Sequence, residues 1–226
     1  MTATTPAPVT PVKSCEAKDL VFAHQAFRRL YSLAPDAVLD TDPTDRKRVR
    51  ALASTLATIN QALHHHHTVE DTMLWDTLSE RKPACGLHVE LMKQQHGRVA
   101  QLLAGSPDLI DAWRDGPGPE TAGALASQFA AIDALLTVHL NDEEGKIIPV
   151  IEEVMSAAEW DEVGAAARTT YDPAHIVLFL GLILDVMPPE ERAEFEAELP
   201  GPVKLVWALV GRHAYRRMMA RLEPVR

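Results

Sequence analysis

One stripe of residues occurs twice in this chain, 73 positions apart. Leu52, Leu56, Ile59, Leu63, His66, Glu70, Leu74 and Leu78 are matched in order by Leu125, Phe129, Ile132, Leu136, His139, Glu143, Ile147 and Ile151. Steps of three and four place each set on one face of an α-helix. The fold must therefore hold two long amphipathic helices in the same register. In both copies a histidine and a glutamate interrupt the apolar stripe at the same two points. A carboxylate at a core position is costly unless something positive pairs with it. Two such carboxylates beside two such histidines point to a buried metal site. The alternative, a metal-free His–Glu pair buried in each half, would be an odd way to build a core.

The repeat extends to two shorter helices. His24 lies in AHQAFRRL at residues 23–30 and His96 in QHGRVAQL at residues 95–102, an offset of 72. The order is then His24, His66, Glu70, His96, His139, Glu143, as from a duplicated helix pair closing around a pseudo-twofold axis. Residues four apart on a helix stand one turn apart on the same face, so each His-x-x-x-Glu pair offers a nitrogen and an oxygen to one centre. Four imidazoles and two carboxylates suit two metal ions, with the carboxylates as bridges. Mixed nitrogen and oxygen donors suit iron, manganese or zinc. The run His64 to His67 leaves a rival register, His67 with Asp71. It does not align with the second copy, where the matching residues are Leu140 and Glu144, so His66 is preferred and His67 is left out of the ligand set. Asp71, Gln95 and Glu144 are candidates to orient the ligating histidines. His64 and His65 are expected in solvent or behind the ligands, and His88 at the surface.

Turn chemistry divides the rest. Residues 1–17 begin with a Thr-, Pro- and Ala-rich stretch and are expected to be a disordered tail. A first helix is predicted over 18–32, followed by a turn over 34–44. A second helix is predicted over 44–79, a third over 87–103 ended by Gly105, Ser106 and Pro107, and a fourth over 120–155 kinked or split by Pro149. Ser156 and Glu159 have the spacing of a capping box. Asp172-Pro173 resembles an N-cap followed by a proline at the first helical position. Further starts are expected at Pro188-Pro189 and Gly201-Pro202. The predicted fold class is all-α: an up-down-up-down four-helix bundle over 18–155 with a C-terminal helical extension over 156–226. The apolar run 176–184 must be covered on most sides, by the bundle or by a second subunit, so a homodimer through the extension is an expectation. Intramolecular or intersubunit pairing is expected for Arg212, Arg216, Arg217 and Arg221.

Composition excludes some partners. A net charge of −10 argues against nucleic acid and against an anionic membrane surface. The two cysteines, Cys15 and Cys85, are isolated, which suggests neither a zinc knuckle nor a disulfide framework and fits a reducing cytoplasm. Residues 1–11 have neither a basic start nor an apolar core, so no signal peptide is expected.

The ordered set H…HxxxE…H…HxxxE resembles the hemerythrin-like (HHE cation-binding) family, as do the strings HHTVEDTMLW at 66–75 and HLNDEEGKIIP at 139–149. The resemblance covers residues 18–155. It implies a four-helix bundle around a non-heme, usually diiron, centre, with His24, His66, Glu70, His96, His139 and Glu143 as ligands to two iron ions. Oxygen-carrying hemerythrins have a His-x-x-x-His pair on the third helix, whereas Met92 stands four before His96 here. A thioether is a poor ligand for ferric iron. The missing donor leaves an open position or is replaced by His67, His175, His213, or a tyrosine such as Tyr31 or Tyr171. The expectation is a cytoplasmic protein that binds or reacts with oxygen, peroxide or nitric oxide, in a redox-stress or iron-handling role. Alternatives are a diiron oxidase or oxygenase acting on a small organic substrate, which needs a pocket beside the metals, and a metal-responsive interaction protein.

Overall fold

A computed structural model describes residues 14–169 and 173–223, and among these no strand forms beyond one isolated bridge between Ser14 and Ser156. The bundle consists of α1 (Lys18–Leu39), α2 (Arg46–Met73) with its short continuation α3 (Trp75–Arg81), α4 (Gly86–Asp115), and α5 (Pro119–Lys146) with its continuation α6 (Ile148–Val154). Helix α1 packs on α5, α5 on α4 and α4 on α2. Asp45 caps α2 by accepting the backbone N–H of Arg48. Pro119 opens α5, where its missing N–H costs nothing.

The stripe repeat reaches the backbone. Helix α2 breaks at Leu74 and α5 breaks at Ile147, equivalent positions with nearly equal dihedrals: φ −101° and ψ −52° at Leu74, φ −103° and ψ −47° at Ile147. Pro149 accounts for the second break. The first has no proline, so the bend belongs to the duplicated architecture rather than to one residue. Past each bend the chain turns inward to bury Trp75 and Leu78 in one copy and Ile148 and Ile151 in the other.

Two expected helix ends are overrun. Helix α1 continues through Pro35 to Leu39, into the segment read as a turn, and α4 continues through Pro107 to Asp115. An interior proline costs a helix about 3 kcal/mol. Beyond Pro107, however, Ile110 and Trp113 are buried, at roughly 1.5–3 kcal/mol per large apolar side chain. Beyond Pro35, Ala37 and Val38 are likewise buried. Burial outweighs the breaker in both cases. Residues 14–17, assigned to the tail by composition, are packed instead: Cys15 and Ala17 are buried, and the Cys15 N–H donates to the Met155 carbonyl. By length and composition the run Pro119–Val154 could cross a membrane; its apolar face here packs against α1 and α4.

The extension comprises α7 (Ala157–Thr169), α8 (Pro173–Val186), α9 (Pro189–Glu198), α10 (Gly201–Val206) and α11 (Arg212–Leu222). The last two are joined by a widened π-type turn, Trp207–Gly211. Ser156 and Glu159 exchange capping hydrogen bonds at the start of α7. Asp172 lies outside the described residues. Helix α7 packs on α2, α8 on α1, and α11 on α1, α2 and α8. Arg29 of α1 pairs with Asp185 of α8 and Glu223. Of the basic tail, Arg221 donates to Thr55 at 3.1 Å and Arg212 pairs with Glu196 at 3.3 Å. Leu205, Val206, Leu209 and Val210 remain exposed.

Candidate metal centre

Each bundle helix delivers its histidine or His–Glu pair to the same buried region. His24 comes from α1, His66 and Glu70 from α2, His96 from α4, and His139 and Glu143 from α5. His24, Glu70, His96, His139 and Glu143 are all buried, and the His66 side chain is only 12% exposed. The six residues named from the stripe and from its extension to the shorter helices therefore converge.

The donors fall into two groups that share Glu70: His24, His66 and Glu70 on one side, and His67, Glu70, His96 and His139 on the other, with donor atoms within 4.8 Å of one another in each. Glu143 lies between them, its Oε2 3.4 Å from His24 Nε2 and 3.5 Å from His139 Nε2. Glu70 Oε1 is 3.1 Å from His66 Nε2 and its Oε2 3.4 Å from His96 Nε2. Metal–donor bonds of about 2.0–2.2 Å place neighbouring donors roughly 3 Å apart, which is the spacing seen here.

His67 is the residue that the repeat passed over. It is buried, and its ring stacks on His96 with centroids 4.1 Å apart and planes at 17°. Adjacent residues on a helix point about 100° apart. His66 turns toward His24 of α1, with centroids 5.4 Å apart, while His67 turns toward His96 of α4. The two flank Glu70 and serve different sides. The equivalent position in the second copy is Leu140, also buried, so no comparison of the two copies could reveal His67. The only available signal was its spacing to Asp71, and Asp71 serves another purpose.

That purpose is to orient an imidazole. Asp71 Oδ1 accepts from His96 Nδ1 at 2.7 Å and from the Trp75 indole at 2.6 Å. Glu144 Oε1 accepts from His24 Nδ1 at 3.0 Å and from Arg28 at 2.6 Å. Gln95 Oε1 accepts from His139 Nδ1 at 3.1 Å, and its amide donates to Asp142 at 2.9 Å, which sets the direction of the amide. Burial opposes ionisation of Asp71 and Glu144, but the hydrogen bonds from His96, and from His24 and Arg28, hold both carboxyls below their ordinary values. Carboxylates only accept, as does the Gln95 amide oxygen, so each of these Nδ1 atoms carries the proton and each Nε2 presents a lone pair inward.

The inward donors lack partners of their own. Nε2 of His24, His66 and His67 and all four oxygens of Glu70 and Glu143 are buried without a hydrogen bond. His96 Nε2 and His139 Nε2, both acceptors by the argument above, face each other at 3.2 Å. A cation shared between them would relieve that contact. Burial and the neighbouring imidazoles push His66 and His67 well below the usual histidine value, and His139 down to about 2. Both causes favour the neutral imidazole. Burial, together with Glu143 and Asp71, drives Glu70 well above the carboxylate range, and burial raises Glu143 against the pull of His24 and His96. The donor set fits metal ions and is poorly satisfied by anything else.

The other histidines and tyrosines are placed as follows. His64 and His88 are exposed, and His65 Nε2 bonds the Ala167 carbonyl at 3.1 Å. His213 is exposed on α11. Tyr31 is buried with its hydroxyl donating to Asn60 at 2.8 Å. Tyr171 and the side chain of His175 lie outside the described residues. Met92 is buried among apolar residues that include Trp75, Leu78 and Ile147. Cys15 and Cys85 are buried and free, as isolated thiols should be.

Raised carboxyls make metal binding a proton-releasing event. The elevated values keep Glu70 and Glu143 more protonated in the metal-free fold than free glutamates would be, and a metal ion requires the carboxylate. Binding therefore strengthens as pH rises. Calorimetric titration with zinc near pH 7, in buffers of different ionisation enthalpy, is expected to show net proton release. Proton-neutral binding would contradict the placement of Glu70 and Glu143 at the ions.

Comparison with curated proteins and with solved structures gave no match. The model of the hemerythrin HHE cation-binding domain matches residues 16–151, a span that ends within α6 and takes in every donor named above. With that coverage, and with a buried His–Glu cluster that could hold a metal ion, the chain belongs to the hemerythrin HHE cation-binding domain family.

Proposed function

We propose that this is a non-heme dinuclear iron protein whose buried centre binds or reacts with dioxygen, peroxide or nitric oxide, in a redox-stress or iron-handling role. The observation that carries the reading is the unequal division of imidazoles. Three (His67, His96 and His139) surround one side, two (His24 and His66) the other, and Glu70 and Glu143 lie between. One ion would be held by three nitrogens, and its partner by two, with a position to spare. Two iron ions held there would supply electrons and a point of attachment for a small ligand.

The protein's part is to hold and shield that position. Asp71, Gln95 and Glu144 keep three imidazoles in the metal-ready tautomer. The two-imidazole side is roofed by Phe27, whose ring centroid is 5.1 Å from that of His66, and Phe27 is in turn covered by Phe179 of α8 at 6.0 Å. An apolar roof disfavours water and charged competitors relative to a diatomic molecule. His67 also answers the objection raised by Met92, since the fifth imidazole comes from α2 instead of from one turn before His96. Reversible oxygen binding therefore stands on the same footing as reaction.

The test is optical. Protein loaded with ferrous iron without oxygen is exposed separately to oxygen, hydrogen peroxide and nitric oxide. A new charge-transfer band with at least one of them, at two irons per chain, is the expected result, and its loss on removing oxygen separates carriage from reaction. A centre whose spectrum ignores all three ligands would overturn the proposal.

A further inference from the structure

A cleft in the extension lies apart from the metal centre. Helices α8 and α9 and the helix from Gly201 to Leu222 enclose a cleft of about 390 Å³, within the size range of small-molecule sites, roughly 300–1,000 Å³. None of the metal-centre donors lines it.

Its walls combine flat aromatic surface with an excess of cationic donors. Trp207 and Tyr215 form one wall, with ring centroids 6.4 Å apart. Tyr215 lies directly on the backbone of α8. A Cβ at Gly181 would sit 2.5 Å from its ring, so only glycine lets the two helices approach and the wall form. Trp207 begins the widened turn Trp207–Gly211, a distortion that recurs at functional sites in helices.

Three guanidinium groups, Arg192, Arg212 and Arg216, face two carboxylates, Asp185 and Glu196. Asp185 is already taken, accepting from Tyr215 at 2.7 Å and pairing with Arg29 outside the cleft. Glu196 accepts from Arg212 at 3.3 Å. Arg216 has no ion pair among the described residues. On a chain of net charge −10 this is a local reversal of sign.

Two residues that line this cleft each carry a buried donor without an acceptor: Arg192 Nε and Trp207 Nε1, with Trp207 only 6% exposed. Arg192 spends its Nη2 on the carbonyls of Asp185 and Met187, which leaves Nε without use. A buried donor left unsatisfied costs about 1–3 kcal/mol. Two at one cleft, beside an arginine with no ion pair among the described residues, point to an acceptor that the described residues do not supply.

We propose that this cleft binds a small organic anion: a flat apolar ring seated against Trp207 and Tyr215, with a carboxylate or phosphate held by Arg192, Arg216 and the Trp207 indole N–H. Full-length, metal-loaded protein is titrated calorimetrically with phenyl phosphate, benzoate and neutral phenol. At least one anion saturates one site per chain and binds about 10-fold or more tighter than phenol, because charge-assisted hydrogen bonds carry the recognition. The two anions distinguish phosphate from carboxylate as the preferred head group. Arg216→Ala removes an exposed side chain, and Trp207→Phe keeps the ring but loses the N–H. Each weakens the bound anion by about 10-fold and leaves metal content unchanged. Anions that bind no better than phenol, or anion binding that neither substitution alters, would overturn the assignment.

Discussion

Glu70→Leu is expected to bind neither metal ion and, stripped of metal, to be more stable than the wild-type protein. Glu70 belongs to both donor groups, so its loss removes an oxygen from each ion at once. Both of its oxygens are buried without a hydrogen bond, and without a cation nothing compensates their desolvation. Replacing a buried ionic group by an apolar side chain of similar volume is often stabilising, by about 1–4 kcal/mol. For a chain of this size each kcal/mol raises the melting temperature by roughly 2–4 °C. The gain depends on pH in a defined direction. A carboxyl whose value is raised by folding from the ordinary 4.5 costs nothing below that value. The cost grows as pH rises above 4.5 and is complete once pH exceeds its value in the folded protein. The advantage of the variant should therefore be smallest near pH 4.5 and grow toward neutrality. With metal present the order reverses, because the wild type alone gains the binding free energy. Metal analysis, with melting curves taken with and without chelator, checks both signs. A variant that retains two ions, or that is less stable than metal-free wild type, would remove Glu70 from the centre of the site.

His67→Phe is expected to lose one ion of the two. Phenylalanine preserves the stack on His96, seen at 4.1 Å, so packing is retained and only the nitrogen is lost. The affected ion is the one on the side of His96 and His139; His24 and His66 still hold the other. Groups that merely hydrogen-bond a ligand contribute about 10–100-fold to metal affinity, and losing a ligand should exceed that. Placing the imidazole one turn before His96 should restore the second ion, so Met92→His in the His67→Phe background is a rescue. Undiminished binding of two ions by His67→Phe would make His67 a packing residue, and the centre would then have four imidazoles.

Much of this molecule is legible in its sequence because helical periodicity is local. The stripe shared by residues 52–78 and 125–151 specifies two amphipathic helices, selects Glu143 over Glu144, and carries the equivalence as far as the bends at Leu74 and Ile147. Asp71, Gln95 and Glu144 were readable as supports because each stands near a ligand in sequence, and each is hydrogen-bonded to an imidazole. The two misread helix ends have one cause. Pro35 and Pro107 look like helix ends, since a proline removes a hydrogen bond from its own helix. The apolar surface that outweighs the loss, Trp113 above all, belongs to contacts with other helices and leaves no mark at the proline itself.

The clearest division lies between His66 and His67. The sequence by itself determined that α2 would present an imidazole and a carboxylate one turn apart to a core, and that α5 would do the same. It did not determine how far the next residue around the helix would also face inward. That depends on the angle at which α1 and α4 flank α2, which sequence spacing does not encode. In the folded bundle the inward arc of α2 is wide enough to hold His66, Glu70 and His67 together. The repeat was thus the signature of a symmetric site; tertiary packing buries positions 67 and 140 alike, and that burial brings the His67 imidazole into one donor group where its counterpart, Leu140, offers none.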